Sequence, residues 1–415
     1  MGRQQKVTSV SDKNMPAWFR HINFTWENSY FLGTKIKLSK DHLLKLARKK
    51  TGLHSFGDEF WEEPLDILLD SINHEAELHP VGRFITRERL TGLLAIRLRA
   101  ENWFKKFPEI LEQELYPVSL ICGLQRTGTT KLHRLLAADP ENRVLASWEA
   151  LNPVPLNEDP DETLKRIKTA RISEKALRLM APGFFSIHPV EYEKPEEDIL
   201  LLDTTFLSTT PEATMHVPSY AAWLERTDQS YAYQYTVRLL KLLQYQRPAK
   251  RWVLKSPHHM EFLDLANKHF GRVHFIWTHR NILESLPSFI SMVAQSQAIF
   301  SDQVSPDRVA RHWVKKTGYM LSKGIEFRRN NPGAEFTDVF YKDIVASPLI
   351  VLGELYRNGL SISPELYQKF LDADRQNAPN RYGIHKYNLD DLNLNIDELN
   401  RTVSVYTDFL RTIEP

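Results

Sequence analysis

Residues 118–130 read Val118-Ser-Leu-Ile-Cys-Gly-Leu-Gln-Arg-Thr-Gly-Thr-Thr130, and this stretch decides the fold. Val118 to Cys122 is a short apolar run of strand type. Residues 123–130 read as a loop, and 131–138 as a helix that Asp139-Pro140 stops. A glycine loop between a strand and a helix is what an anion site requires, because backbone N–H groups and the helix N-terminus then face one spot. Gly128 lets the backbone approach closely, Thr129 and Thr130 add hydroxyl donors, and Arg126 supplies a cation. A nucleoside triphosphatase loop needs lysine after its second glycine. Thr129 stands there instead, so the loop suits a single 5'-phosphate carrying a transferable group better than a β/γ-phosphate chain with magnesium.

Outward from this loop, further strands are expected at 143–146, 252–255, 273–278 and 336–341, mostly separated by helical stretches. Alternating short strands and helices predict an α/β fold with a P-loop-like parallel sheet flanked by helices. Residues 1–115 read as a helical N-terminal extension and 116–415 as the α/β domain. In the extension, Leu43, Leu44, Leu46 and Ala47 recur at helical spacing before Gly52. A second helix is expected at 87–104, with Leu90, Leu93, Leu94 and Leu98 on one face. Residues 150–250 are rich in Pro, Glu and aromatics and suggest loops and helices folded over the sheet, a place for an acceptor pocket. The acidic run Glu191, Glu193, Glu196, Glu197 and Asp198 reads as a solvated face, with acceptor contact or helix capping as the alternatives.

Composition narrows the function. The 54 basic and 52 acidic residues leave +2, which argues against a general nucleic-acid binder and makes anion recognition local. The single cysteine, Cys122, fits a reducing compartment, and the N-terminus lacks a signal-peptide core, so a cytoplasmic location is expected. No run reaches membrane-span length; Arg97 and Arg99 interrupt the richest candidate. His258, His259 and Glu261 fit no zinc spacing, and no metal is expected.

A second anion site is expected after the strand at 273–278. Arg280 offers a bidentate fork at the strand's end, and Ser288 follows eight residues later. The two sites together resemble the PAPS-dependent sulfotransferases, PAPS being 3'-phosphoadenosine 5'-phosphosulfate. Residues 123–130 are similar to that family's 5'-phosphosulfate loop, with Gln125 in place of the usual proline. Arg280 and Ser288 are similar to its 3'-phosphate motif, with Asn281 and Ile282 in place of Asp-Pro. Thr51-Gly-Leu-His-Ser-Phe-Gly-Asp58, Ser147-Trp-Glu149, Pro218-Ser-Tyr-Ala-Ala-Trp223 and Val253-Leu-Lys-Ser-Pro-His258 extend the resemblance to a broad, mostly bacterial branch.

The resemblance implies sulfuryl transfer from PAPS, leaving PAP, to the hydroxyl of a small-molecule or lipid-like acceptor. It implies nucleotide contacts from Arg126, Thr127, Gly128, Thr129, Thr130, Arg280 and Ser288, and from a closing loop with Arg381, His385 and Lys386. The acceptor hydroxyl must lose a proton, and leaving-group charge must be stabilised. Glu149, after the second strand, and His258, after the third, are alternative bases. Arg126 and Lys255 are the electrostatic candidates. An ATP-dependent small-molecule kinase and a non-catalytic nucleotide-binding protein of the same fold are the competing readings. Acceptor identity and oligomeric state are not encoded in any motif.

Overall fold

The structure, a computed structural model, describes residues 15–30, 33, 35–159, 161–357, 362–377 and 396–413. Its centre is a sheet of β1 (Val118–Gly123), β2 (Asn142–Val144), β3 (Arg251–Lys255), β4 (Val273–His279) and β5 (Glu335–Phe340). The strands lie in the order β2-β3-β1-β4-β5, and every neighbouring pair is parallel. The α/β expectation is met. Ile121 sits opposite Lys255 on one side and Ile276 on the other, so the C-terminal ends of β1, β3 and β4 share one edge.

The strands are apolar on both faces because helices cover both. Leu120, Cys122, Phe275 and Trp277 join the larger core, whereas Ile121, Val253 and Ile276 pack with Leu132, Leu135 and Ile344 in a smaller one. The larger core runs without a break into the N-terminal helices through Leu43, Leu94 and Leu98. Helix Lys40–Thr51 stops where expected: Gly52 is left-handed at φ 73°, and its N–H donates to the Arg48 carbonyl at 2.8 Å.

After helix Glu62–Glu75, a longer helix spans Pro80–Lys106 and starts about two turns before the expected 87. Pro80 occupies its first turn, and the His79 ring accepts the Gly82 N–H at 2.8 Å. A Cβ on Gly82 would lie 2.0 Å from the Phe300 carbonyl oxygen, so only glycine allows this helix to seat against that backbone. Arg97, which interrupts the apolar run in sequence, is fully buried. It donates to the Phe56 carbonyl and to Asp58 and lies over the Tyr235 ring at 4.4 Å. No described helix is long and apolar enough to cross a membrane.

β2 ends at Val144, two residues before the expected boundary, because Ala146 begins the short helix Ser147–Leu151. Leu145 and Ser147 instead take backbone bonds with the segment crossing the sheet edge: Glu196 N–H to Leu145 O at 2.8 Å, and Ser147 N–H to Lys194 O at 2.9 Å. This exchange brings the acidic run back over the sheet.

Candidate active site

Three loops meet at the C-terminal edge. The first leaves β1 through Gly123, at φ 125°, where a Cβ would stand 2.5 Å from Thr278 Oγ1 and 2.7 Å from Thr278 O. Gly128, at φ 91°, caps helix Thr129–Leu136. Arg126 between them is also left-handed, at φ 66°, a strained conformation for a residue with a Cβ. The Thr127 hydroxyl turns inward, donating to the Leu124 carbonyl at 2.6 Å and meeting Thr278 Oγ1 at 2.7 Å. It braces the loop, so only its backbone N–H can serve a ligand. Thr129 is buried at the helix start and Thr130 is exposed.

The second loop follows β4. Arg280 donates from Nη1 to the Arg126 carbonyl at 3.0 Å, and Arg126 Nε donates to Ser288 Oγ at 3.2 Å. The two anion motifs, more than 150 residues apart in sequence, are therefore one cluster. Asn281 preserves the turn in place of the usual Asp: its side chain accepts the Leu283 N–H at 3.0 Å and caps helix Ile282–Gln297. Arg280 also stacks on Tyr341 at 4.0 Å and pairs with the exposed Glu284 at 3.1 Å. That surface pair is weak and can yield to a stronger anion. A cavity of about 510 Å³ is lined by Arg280, Asn281, Tyr341 and Lys342 together with Val403 and Tyr406. His385, Lys386 and Arg381 lie outside the described residues.

Arg280 is held by the residue before it. His279 contacts Asp338 at 2.9 Å and the Tyr406 hydroxyl at 3.0 Å, and Arg328 pairs with Asp338 at 2.6 and 2.8 Å. Burial alone would raise the Asp338 carboxyl. The bonds from His279 and Arg328 outweigh it and hold the group at about 2. A carboxylate depressed in the fold adds stability above its unfolded value, near 3.9, which is lost as pH falls through the folded value. Melting temperatures of the wild type and Asp338→Asn should therefore differ by a constant gap at neutral pH. The gap should narrow below about pH 4. A pH-independent gap would contradict the pairing.

The third loop follows β3. Lys255 Nζ pairs with Glu197 at 2.6 Å, and Lys255 N–H donates to Asp198 at 3.1 Å. Asp198 meets His259 at 2.7 Å, and His259 meets the Tyr233 hydroxyl at 2.7 Å, all fully buried. This corrects the solvated-face reading of the acidic run. Asp198 is interior and Glu197 is an ion-pair partner, because the chain crosses the sheet edge above Lys255 at the end of β3 and His259 in the turn after it. Ser256 accepts the His258 N–H and opens the turn Pro257–Glu261. His258 Nδ1 lies 3.3 Å from Thr209 Oγ1, and Nε2 has no hydrogen-bond partner among the described residues. Burial first, then the nearby His259 and Lys316, keeps this imidazole well below its usual value, so it is neutral at pH 7.

A cavity of about 470 Å³ opens beside the loops. Its polar lining includes Gln125, His188, Glu196, Glu197, Ser256 and His258. Its walls include Leu177, Phe184, Leu200, Phe289, Met292 and Trp313. Of the aromatic residues in this part of the chain, Phe184 and Tyr192 line it, whereas Trp148, Phe185, Tyr220 and Trp223 do not. Sequence reasoning preferred a solvated face for Glu196 and Glu197, and it missed His188 and Thr209. The available signal was Pro195-Glu-Glu-Asp198 placed directly before the apolar Ile199 to Leu202.

Glu149 has other work. Arg143 grips both carboxylate oxygens, at 2.7 and 2.9 Å, Arg247 adds a contact at 3.0 Å, and the Ala146 N–H donates at 3.1 Å. The carboxylate is buried and does not line the cavity. Both of its oxygens are occupied by guanidinium donors. Through these contacts Glu149 fastens β2 to the following helix. Glu149→Gln should cost about 2 kcal/mol of stability by leaving buried Arg143 donors underpaired. Urea unfolding measures this, and an unchanged midpoint would count against the clamp.

A glycine loop and two arginines at the C-terminal edge of a parallel sheet, beside a largely apolar cavity, define a P-loop-like α/β protein built for group transfer. Residues 117–361, more than half of the chain, match the sequence profile of the sulfotransferase family, and the chain belongs to that family. It is similar to the crystal structure of sulfotransferase STF1 from Mycobacterium tuberculosis H37Rv. The TM-score is 0.78 at 30% identity, over 89% of this chain and 99% of that one. It also shares the fold of sulfotransferase STF9 from Mycobacterium avium, with a TM-score of 0.80 at 23% identity over 89% and 96%. No curated protein matches the chain.

Proposed function

We propose that this protein transfers a sulfuryl group from PAPS to the hydroxyl of an apolar, lipid-like or ring-bearing alcohol held in the 470 Å³ cavity. One observation carries the reading: Arg126 touches both Ser288 and Arg280 at the mouth of a glycine loop that lacks the triphosphatase lysine. That set of donors fits a nucleotide with separate 5'- and 3'-phosphate groups. PAPS would supply the activated sulfuryl group on its 5'-phosphate. Gly128, Thr129, Thr130 and the Thr127 N–H would hold the 5' end, and Arg280 with Ser288 the 3'-phosphate. Arg126 stabilises the charge that grows on the leaving phosphate oxygen.

His258 is the proton acceptor in this account. It lines the acceptor cavity, and its Nε2 has no hydrogen-bond partner among the described residues while Nδ1 faces Thr209. A second assignment, Glu197, is favoured by its position between the cavity and Lys255. Lys255 orients Glu197, and Asp198 with His259 and Tyr233 anchors the strand end that presents both. Thermal-shift measurements with PAP, adenosine 5'-phosphate and ATP–magnesium test the donor. PAP without metal should stabilise most. Stabilisation by ATP–magnesium alone would replace the reading with a kinase.

A further inference from the structure

Helix Glu162–Met180 forms one side of the acceptor cavity through Ala170, Ser173, Glu174 and Leu177. A helix that buries one face ordinarily keeps the other polar. This one does not: Leu164, Ile172 and Leu179 are 64%, 58% and 68% exposed on the side away from the cavity. At 100° per residue these three fall within an arc of about 140° that also holds Lys165, Lys168, Arg171, Lys175 and Arg178. The only cations of that arc with ion pairs among the described residues are Lys165, with Asp159, and Arg178, with Glu174. The outer face is thus three large apolar side chains set among five cations, and no acidic residue of the helix lies within it.

We infer that this face docks on the surface of an anionic lipid bilayer. Apolar side chains interleaved with Lys and Arg on an exposed helix match the acyl boundary and the anionic headgroups at once. An acidic protein would satisfy the cations but would leave Leu164, Ile172 and Leu179 needing a matching apolar patch. The bilayer satisfies both without one. The same helix separates this face from the acceptor cavity, so docking would set the cavity beside the phase in which apolar alcohols dissolve. That consequence rests on the sulfotransfer reading; the docking itself does not.

The test is flotation of the full chain with vesicles of phosphatidylcholine alone and of phosphatidylcholine mixed with phosphatidylglycerol. The chain should float with the mixed vesicles, stay behind with the neutral ones, and be released by added salt. The triple variant Lys168→Glu, Arg171→Glu, Lys175→Glu should bind at least about tenfold more weakly. The triple variant Leu164→Gln, Ile172→Gln, Leu179→Gln should also weaken binding by about tenfold. All six positions are exposed, and circular dichroism with PAP thermal shift on each variant verifies the fold. No flotation of the wild type would overturn the inference. So would full binding by the Gln variant, which would mean adsorption by charge alone and would hand the face to an acidic partner. Absent flotation with intact PAP stabilisation removes the docking surface and leaves the sulfotransfer reading standing; flotation without PAP stabilisation does the reverse.

Discussion

Arg280→Ala should weaken PAP by about 2–5 kcal/mol, the loss that follows when one partner of a charge-assisted contact is truncated. Adenosine 5'-phosphate should be nearly unaffected, because it lacks the 3'-phosphate. The distinction matters because Arg280 also donates to the Arg126 carbonyl and stacks on Tyr341. If its main role were to brace the glycine loop, both nucleotides would lose affinity together. Calorimetric titration of the two ligands separates the roles. Equal losses would remove Arg280 from the 3'-phosphate site and make it a support for Arg126.

The base gives the second large effect. His258→Asn should lower turnover by about 100-fold or more while PAP affinity stays close to that of the wild type. The asparagine keeps a polar group near Thr209 but offers no lone pair in place of Nε2. The loss should shrink for acceptors whose hydroxyl is already acidic, such as nitrophenols, because less proton removal is needed. A merely structural histidine would show the same loss with every acceptor. Glu197→Gln, measured alongside, tests the alternative. If it loses more than His258→Asn and shows the acidity dependence, the carboxylate beside Lys255 takes the proton. Glu149→Gln should leave turnover per folded molecule nearly unchanged.

The sheet was legible because its signals are local. The apolar run of β1, the glycine at each end of the loop and the helix stop at Asp139-Pro140 lie within about two dozen residues. Arg280 and Ser288, both singled out in the sequence, each meet Arg126, one at its carbonyl and the other at its guanidinium, a junction no local pattern shows. Errors arose where distant segments decide the outcome. β2 was drawn too long because Leu145 bonds to Glu196, which no local pattern shows. The acidic run looked solvated because its partners, Lys255 and His259, are some sixty residues away. The clamp on Glu149 was hidden because only one of its arginines, Arg143, is close in sequence, and nothing marked that arginine as buried. Helix Glu162–Met180 read as part of the cover over the sheet, and its unpartnered outer face emerges only once the inner face is seen to line a cavity.

Transfer of label from sulfur-labelled PAPS to alcohols is the most direct test of the central claim. Purified protein without divalent metal is incubated with the donor and a panel of lipid, phenolic, steroid and carbohydrate alcohols, and the sulfated products are resolved. The account predicts labelled product from the apolar alcohols, little from the carbohydrates, and loss of product in Arg126→Ala through turnover more than through PAP affinity. Absence of transfer to every alcohol from a preparation that PAP stabilises would contradict it, leaving a nucleotide-binding protein on a sulfotransferase fold.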